Sequence, residues 1–186
     1  MKSTVKNILM IITGFVLVLF DQITKLIATR KLQGKDPFVL LKDVFEFHYL
    51  EGGNKGAAWG MLSGQIVFFV IISVAISVAI VLLIIRVNTL IAKNEINGRV
   101  FTLFEIALVL LISGAVGNMT DRIVHGFVID FLYFKLINFP IFNVADCYVT
   151  VSCVFLIILC AFVIKDEDFS KIFNLKDKKN SDATKN

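Results

Sequence analysis

The chain has 186 residues, of which 57% are hydrophobic, with a mean hydropathy of +0.82 and 18 Phe. A soluble domain of this size is usually about 45–50% apolar, so this composition excludes an ordinary water-soluble fold and points to a membrane protein. The formal net charge of +4 arises partly from basic residues clustered at chain ends and connections, and gives no case for a nucleic-acid partner.

Four apolar stretches read as membrane helices, at about 7–27, 65–85, 101–118 and 144–164. Each is close to the roughly 20 residues that a span needs. The second is the clearest, because Ile66–Ile85 carries no charge. A transmembrane β-barrel would show alternating segments of about 10 residues, and these runs are continuous. The fold class expected is therefore all-α, with four transmembrane helices in one domain over residues 1–165. Lys2 and Lys6 before Ile8–Phe20 imitate a secretory signal, but no small-residue cleavage site follows and the run continues through Asp21 to Ile27. It is taken as a retained first helix.

An even number of spans puts both termini on one side. Eleven Lys and Arg fall on the termini side and between spans two and three, against seven in the other two connections, which places the termini in the cytoplasm. The first outer loop, about 29–64, is too long for a plain connector. Phe38–Tyr49 within it has partly alternating β character, with Phe45, Phe47 and Tyr49 on one face and Val44, Glu46 and His48 on the other. A small extracytoplasmic β-sheet lying on the membrane is expected there. Gly52–Gly60 follows, with small residues suited either to close approach by a ligand or to a flexible turn. Residues 166–186 read as a Lys-rich cytoplasmic tail that begins as a short helix.

With this topology Asp21, Lys25, Asn54, Asn118, Asp121, Arg122, Asp130, Asn143 and Asp146 converge at the outer face. Asp21 lies about 21 Å along the first helix from Asn7, at about 1.5 Å per residue, within the outer leaflet. Ionisable groups at membrane depth are costly and tend to be functional. Asp21 and Lys25 share a helix face and form either a mutual ion pair or support for a neighbouring site. Asn118, Asp121 and Arg122 also share a face at the end of the third span, after the small residues Gly114, Ala115 and Gly117 that suit tight packing. Asp130 stands in an apolar run. Asp146 follows Pro140 and a candidate helix cap, Asn143, in a first turn where the helix dipole favours a carboxylate.

If Asp130 and Asp146 meet in an apolar setting they share a proton, so that one can serve as base toward water and the other as acid toward a carbonyl. The alternative is a surface carboxylate and a capping charge. No Ser/His or Cys/His arrangement competes: His48 and His125 are isolated, and Cys147, Cys153 and Cys160 in the fourth span lack metal spacing and read as small buried hydrophobes. The glycosylation sequon at Asn118 is discounted, because it sits at a helix end inside the membrane pattern.

Five blocks now carry a resemblance. They are Asp21-Gln22-Ile23-Thr24-Lys25, Asn54-Lys55-Gly56-Ala57-Ala58-Trp59-Gly60, Gly117-Asn118-Met119-Thr120-Asp121-Arg122, Val128-Ile129-Asp130-Phe131, and Phe139-Pro140-Ile141-Phe142-Asn143-Val144-Ala145-Asp146. In this order the chain resembles the lipoprotein signal peptidases (signal peptidase II), membrane aspartyl peptidases of bacteria. The resemblance implies a catalytic pair of Asp130 and Asp146. It also implies that Asp21, Lys25, Asn54, Gly56, Asn118, Asp121, Arg122 and Asn143 orient substrate or support the pair. It implies removal of the signal peptide from diacylglyceryl-modified prolipoproteins, just before the lipidated cysteine, at the outer face of the cytoplasmic (inner) membrane. It further implies no metal, no cofactor and inhibition by globomycin-type antibiotics. Membrane lipids are expected partners and a monomer the expected state. Trp59 stands where the family often has Phe, and Ser113 where a second Gly often precedes the Ala. A proton-coupled transporter is the main alternative, and a non-catalytic scaffold subunit is another. The absence of any inverted repeat or of a polar path across the bilayer weighs against transport.

Overall fold

The computed structural model describes residues 3–56 and 64–173. Helix α1 spans Ser3–Leu32, strands β1 and β2 span Phe38–Leu41 and Phe45–Phe47, and helices α2 and α3 span Ile66–Ala92 and Gly98–His125. Strand β3 follows at Leu132–Phe134, then a short 3-10 turn at Lys135–Ile137. Helix α4 covers Val144–Ile158 and runs on into a π-helical turn at Leu159–Val163, and α5 covers Asp166–Phe173. Four of these helices are long and apolar enough to cross a membrane, among the described residues.

The first three run further than expected, while the fourth matches its expected bounds. Helix α3 continues past Asn118 to His125, where Gly126 closes it in a left-handed conformation at φ 77°. The expected exit at Asn118 is instead two further helical turns, in which Asp121 is buried and Thr120 and Arg122 are half-buried. Helix α2 likewise extends to Ala92, beyond Arg86. The sheet also differs from its expected form. It has three antiparallel strands in the order β1-β2-β3, and the third comes from the connection between α3 and α4 rather than from the first loop. Three residues are too few for an alternating pattern to show.

Helix α3 is the hub. Half of its apolar window is buried, against 6% for α1 and α2, and it packs on α1, α2 and α4. The outer three helices instead present Ile, Leu, Val and Phe outward, among them Ile11, Phe15, Val67, Ile71, Leu82 and Ile157. In water such a surface would be a liability; in lipid it costs nothing to expose. Cys153 and Cys160 lie on this outward surface, so they are not the buried hydrophobes expected; Cys147 is half-buried, and all three are free.

Toward the end bearing the termini, Ile80, Val87, Leu90, Phe101, Phe104, Leu108 and Leu159 form a core that Ile172 of α5 joins. Helix α5 is held there by Arg86, which donates to the Lys171 carbonyl, and by Lys171 Nζ, which donates to the Glu95 carbonyl. The short helix expected at the start of the tail is thus present. Lys6 and the fully buried Glu105 pair beside this core.

Small residues set the approach of α3 to its neighbours. A Cβ at Gly117 would fall 2.6 Å from Asp21 Oδ2, and one at Gly114 would fall 2.5 Å from the Ala145 carbonyl oxygen. At Gly14 the nearest atom would be an ordinary 3.4 Å away. Gly114→Ala and Gly117→Ala should each lower stability by about 1–3 kcal/mol, the usual cost of overpacking, while Gly14→Ala should be close to neutral. Thermal unfolding of the three variants in detergent checks this, and equal midpoints for all three would contradict the close approach.

Candidate active site

The site is assembled where the sheet meets the ends of α1, α3 and α4. The chain segment that carries Asp130 is gripped from both sides. On one side Leu50 N donates to the Asp130 carbonyl at 3.0 Å, and Asn54 and Val128 exchange backbone hydrogen bonds of 2.9 and 2.8 Å. On the other, Phe131 N and Leu132 N both donate to the Phe142 carbonyl, at 2.9 and 2.8 Å. The residue after Phe142 is Asn143, which caps α4. Its side chain accepts from Asp146 N at 3.0 Å, while Asp146 Oδ2 accepts from Asn143 N at 3.1 Å. This reciprocal capping box satisfies two otherwise orphaned helix donors. The backbone ladder thereby delivers Asp130 to the start of α4, where Asp146 already stands.

Asparagines fill the space around the two carboxylates. Asn143 Nδ2 donates to Asp130 Oδ1 at 2.6 Å, and Asn54 Nδ2 donates to Asp130 Oδ2 at 2.9 Å. Asn118 Nδ2 donates to Asp146 Oδ1 at 2.8 Å. Each carboxylate oxygen of the pair therefore accepts one hydrogen bond from the protein. The orientation of the Asn118 amide is fixed by Lys25, a donor only, whose Nζ lies 2.9 Å from Asn118 Oδ1. Asn143 Nδ2 reaches the same oxygen at 3.0 Å.

Beneath the pair lies an ionic layer. Lys25 Nζ is 2.9 Å from both Asp21 Oδ2 and Asp121 Oδ2, and all three side chains are fully buried. The mutual ion pair expected of Asp21 and Lys25 is present, and Lys25 also bridges to Asp121 and touches Asn118. Asp21 Oδ1 accepts from Ala145 N at 2.9 Å, and Asp121 Oδ2 accepts from Ile129 N at 3.0 Å.

The nine polar residues expected at this level are all brought into one cluster, and Gly56 joins it. Gly56 N donates to Asn54 Oδ1 at 3.0 Å, and Arg122 Nη2 donates to the Gly56 carbonyl at 3.0 Å. The Arg122 guanidinium sits 4.8 Å from the Phe69 ring centroid, and it makes no ion pair with Asp121 among the described residues. Gln22 was missed. Its Nε2 lies 3.1 Å from Asp21 Oδ2, 3.0 Å from Asp121 Oδ1 and 3.2 Å from the Gly117 carbonyl. The signal available in the sequence was a second polar side chain beside Asp21 inside an apolar helix. Trp59 and the small residues Ala57, Ala58 and Gly60 beside it lie outside the described residues.

The two carboxylates face a cavity of about 1050 Å³. One wall is the turn from Leu50 to Gly56 with Arg122, and the other is apolar, with Phe134, Ile137, Ile141 and Val151. No group of three or more His, Cys, Asp and Glu that could hold a metal ion occurs among the described residues. Burial raises the Asp130 carboxyl to about 7, and the neighbouring Asp146 charge adds to the effect, against the opposing hydrogen bonds from Asn54 and Asn143 and the Lys25 charge. A carboxyl that keeps its proton near neutrality beside a second one has what general acid–base chemistry on water and a carbonyl requires.

A multi-pass helical protein with paired carboxylates at an apolar cavity belongs to the class of membrane enzymes. Known proteins name the family. The Signal peptidase (SPase) II family matches residues 13–163, so the chain belongs to that family and is a peptidase, a hydrolase. The lipoprotein signal peptidase of Clostridium tetani is 37% identical over 173 residues, covering 90% of this chain and 99% of that protein. That of Staphylococcus aureus is 35% identical over 173 residues, covering 90% and 92%. A bacterial membrane enzyme solved by the in meso method at 2.3 Å resolution shares the fold, with a TM-score of 0.68 at 32% identity over 91% of this chain and 92% of that one.

The raised Asp130 carboxyl has a consequence for stability. Its ordinary value is 3.8, and the fold holds it near 7. Between these limits the folded chain keeps a proton that the unfolded chain releases, so this group lowers stability as pH rises from about 4 to about 7. Asp130→Asn removes that penalty. The stability of the variant relative to the parent should therefore increase across this window, by up to roughly 4 kcal/mol. Unfolding midpoints measured between pH 4 and 8 check this; a constant difference would mean that Asp130 titrates at its ordinary value.

Proposed function

We propose that this chain removes the signal peptide from diacylglyceryl-modified bacterial prolipoproteins, cutting just N-terminal to the lipidated cysteine, with Asp130 and Asp146 as the catalytic pair. The observation that carries this reading is the sharing of Asn143 by the two carboxylates: its side chain donates to Asp130 while its backbone donates to Asp146. Two acids so coupled, in a peptidase, at the wall of an apolar cavity, are suited to hold one proton between them.

The pair then works as follows. The ionised member takes a proton from water as the water oxygen attacks the scissile carbonyl carbon. The protonated member gives its proton to the carbonyl oxygen, leaving a tetrahedral diol and one proton on the pair. In the return step a hydroxyl proton passes back to the carboxylate, the C–N bond breaks, and the departing nitrogen takes a proton from the other acid. Asn54, Asn118 and Asn143 hold the acids; Asp21, Lys25 and Asp121 support them from below. Arg122 and Gly56 border the cavity, where Arg122 Nε has no hydrogen-bond partner among the described residues and suits a peptide carbonyl. The apolar wall suits the acyl chains of a substrate that stays anchored in the bilayer.

On this reading residues 1–165 form the peptidase domain and residues 166–186 a cytoplasmic tail, both termini are cytoplasmic, and the site lies near the outer leaflet of the inner membrane. The basic bias of the termini side supports the orientation. Globomycin-type inhibitors should compete for the cavity.

The test is cleavage of a diacylglyceryl-modified prolipoprotein by the purified protein beside Asp130→Asn and Asp146→Asn. Each variant should lose at least about 10³-fold in kcat with the fold retained, the scale seen when a member of a catalytic set is removed. The parent should lose activity as pH rises above about 7, because the pair then gives up its shared proton. Equal cleavage by all three proteins would reject the pair. No cleavage by the folded parent, on a substrate that a known relative cuts, would reject the substrate.

A further inference from the structure

We infer that Gln22 is a positioning residue of the hydrolytic site, which with Lys25 locks Asp21 to Asp121 and so sets the separation of Asp130 and Asp146. The inference rests on the reading of those two acids as the catalytic pair.

The geometry is a lower pair of acids that mirrors the upper one. Asp21 holds Ala145 N, the backbone group just before Asp146, and Asp121 holds Ile129 N, the group just before Asp130. Whatever fixes Asp21 relative to Asp121 therefore fixes the two backbones that carry the pair. Two side chains do so. Lys25 Nζ reaches one oxygen of each acid, and Gln22 Nε2 reaches Asp21 Oδ2 and Asp121 Oδ1. The amide orientation is unambiguous, because both acids and the Gly117 carbonyl that completes the set are acceptors. Without Gln22 no hydrogen bond or ion pair to Asp121 Oδ1 remains among the described residues, while Asp121 Oδ2 keeps Lys25 and Ile129 N. A buried carboxylate that loses a donor must reorient, and reorientation here pulls on Ile129. Displacements of about 1 Å at a catalytic geometry can cost on the order of 10²-fold in rate.

Charge distinguishes this role from plain packing. The groups facing Gln22 are Asp21 and Lys25 on α1 and Asp121 on α3; beyond them, across Ala145 and Ile129, lie Asp146 on α4 and Asp130 in the connection. In Gln22→Glu the new carboxyl donates a hydrogen bond only while protonated, and once ionised it repels both acids. In Gln22→Met a side chain of similar length has no donor at any pH.

The experiment measures kcat and KM on a diacylglyceryl-modified prolipoprotein from pH 5.5 to 8.5 for the parent, Gln22→Met, Gln22→Glu and Asp130→Asn, with unfolding midpoints for each. Gln22→Met should lose about 10²-fold in kcat at every pH, with KM within about 3-fold of the parent. Gln22→Glu should approach parental kcat at pH 5.5, and its rate relative to the parent should fall at least about 10-fold by pH 8.5. A relative rate for Gln22→Glu that does not change with pH, or parental kcat in Gln22→Met, overturns the inference. So does a loss confined to proteins whose midpoint has collapsed. Activity retained in Asp130→Asn would instead overturn the catalytic pair and leave Gln22 to be judged on its own variants.

Discussion

The site depends on one buried cation. Lys25 sits inside the bundle with its Nζ 2.9 Å from Asp21, Asp121 and Asn118. A lone ammonium in this environment would be costly by several kcal/mol, and two lone carboxylates worse. Together they are tolerable only with excellent geometry and with the remaining lone pairs satisfied. That condition explains what surrounds them. Asp21 takes Ala145 N, Asp121 takes Ile129 N, and Gln22 reaches both acids. The ionic layer is thus tied to three elements, α1, α3 and α4, and to the connection between the last two. Removing one charge would leave others buried without compensation, typically a loss of about 3–5 kcal/mol. Stability and site geometry rest on the same contacts.

Close backbone approach makes that layer possible. Helix α1 can place Asp21 against α3 only because position 117 has no side chain, and α4 can seat Ala145 beside α3 only because position 114 has none. Lipid offers no hydrophobic drive for helices to associate, so packing and interhelical hydrogen bonds must supply it. Here the glycines supply the first and the Asp21–Lys25–Asp121 set the second. The sheet then has a modest task. Its ladder from Leu50 through Asp130 to Phe142 is short, but it fixes the connecting chain tightly enough for Asp130 to meet the cap of α4.

Much of this was legible in the sequence where a local rule applied. The spans followed from length and hydropathy. The cap at Asn143 and the placing of Asp146 in the first turn followed from Pro140 and the capping preference, and both are present. The spacing of Asp21 and Lys25 placed them on one face. What was not legible depended on partners distant in the chain. The polar last turns of α3 suggest an end at Asn118, and only Gln22 and Lys25 across the interface explain why the helix continues and buries Asp121. Strand β3 has three residues and owes its existence to β2 and Phe142. Gln22 looked like an ordinary polar neighbour of Asp21 until Asp121 came within 3.0 Å of it. Cysteine is among the most buried residue types in soluble proteins, whereas the outward thiols of Cys153 and Cys160 on a membrane helix meet lipid.

The distribution of charge along α3 bears on what kind of protein this fold can be. Glu105 pairs with Lys6 near one end, and Asn118 and Asp121 join the other cluster near the opposite end. Asn118 stands thirteen positions after Glu105, about 20 Å along the helix at about 1.5 Å per residue. The turns between them carry Ala107, Leu108, Val109, Leu111 and Ile112, and the one hydroxyl, Ser113, is already engaged with the Val109 carbonyl. A transporter must offer ions or protons a polar route through that interval, and the described residues offer two separate poles instead. A hydrolase needs polarity at one level only, where water and the scissile bond meet. Separating the acids around Lys25 from the Lys6–Glu105 pair by an apolar interval opposes conduction, and it leaves the hydrolytic site the polarity it needs at its own level.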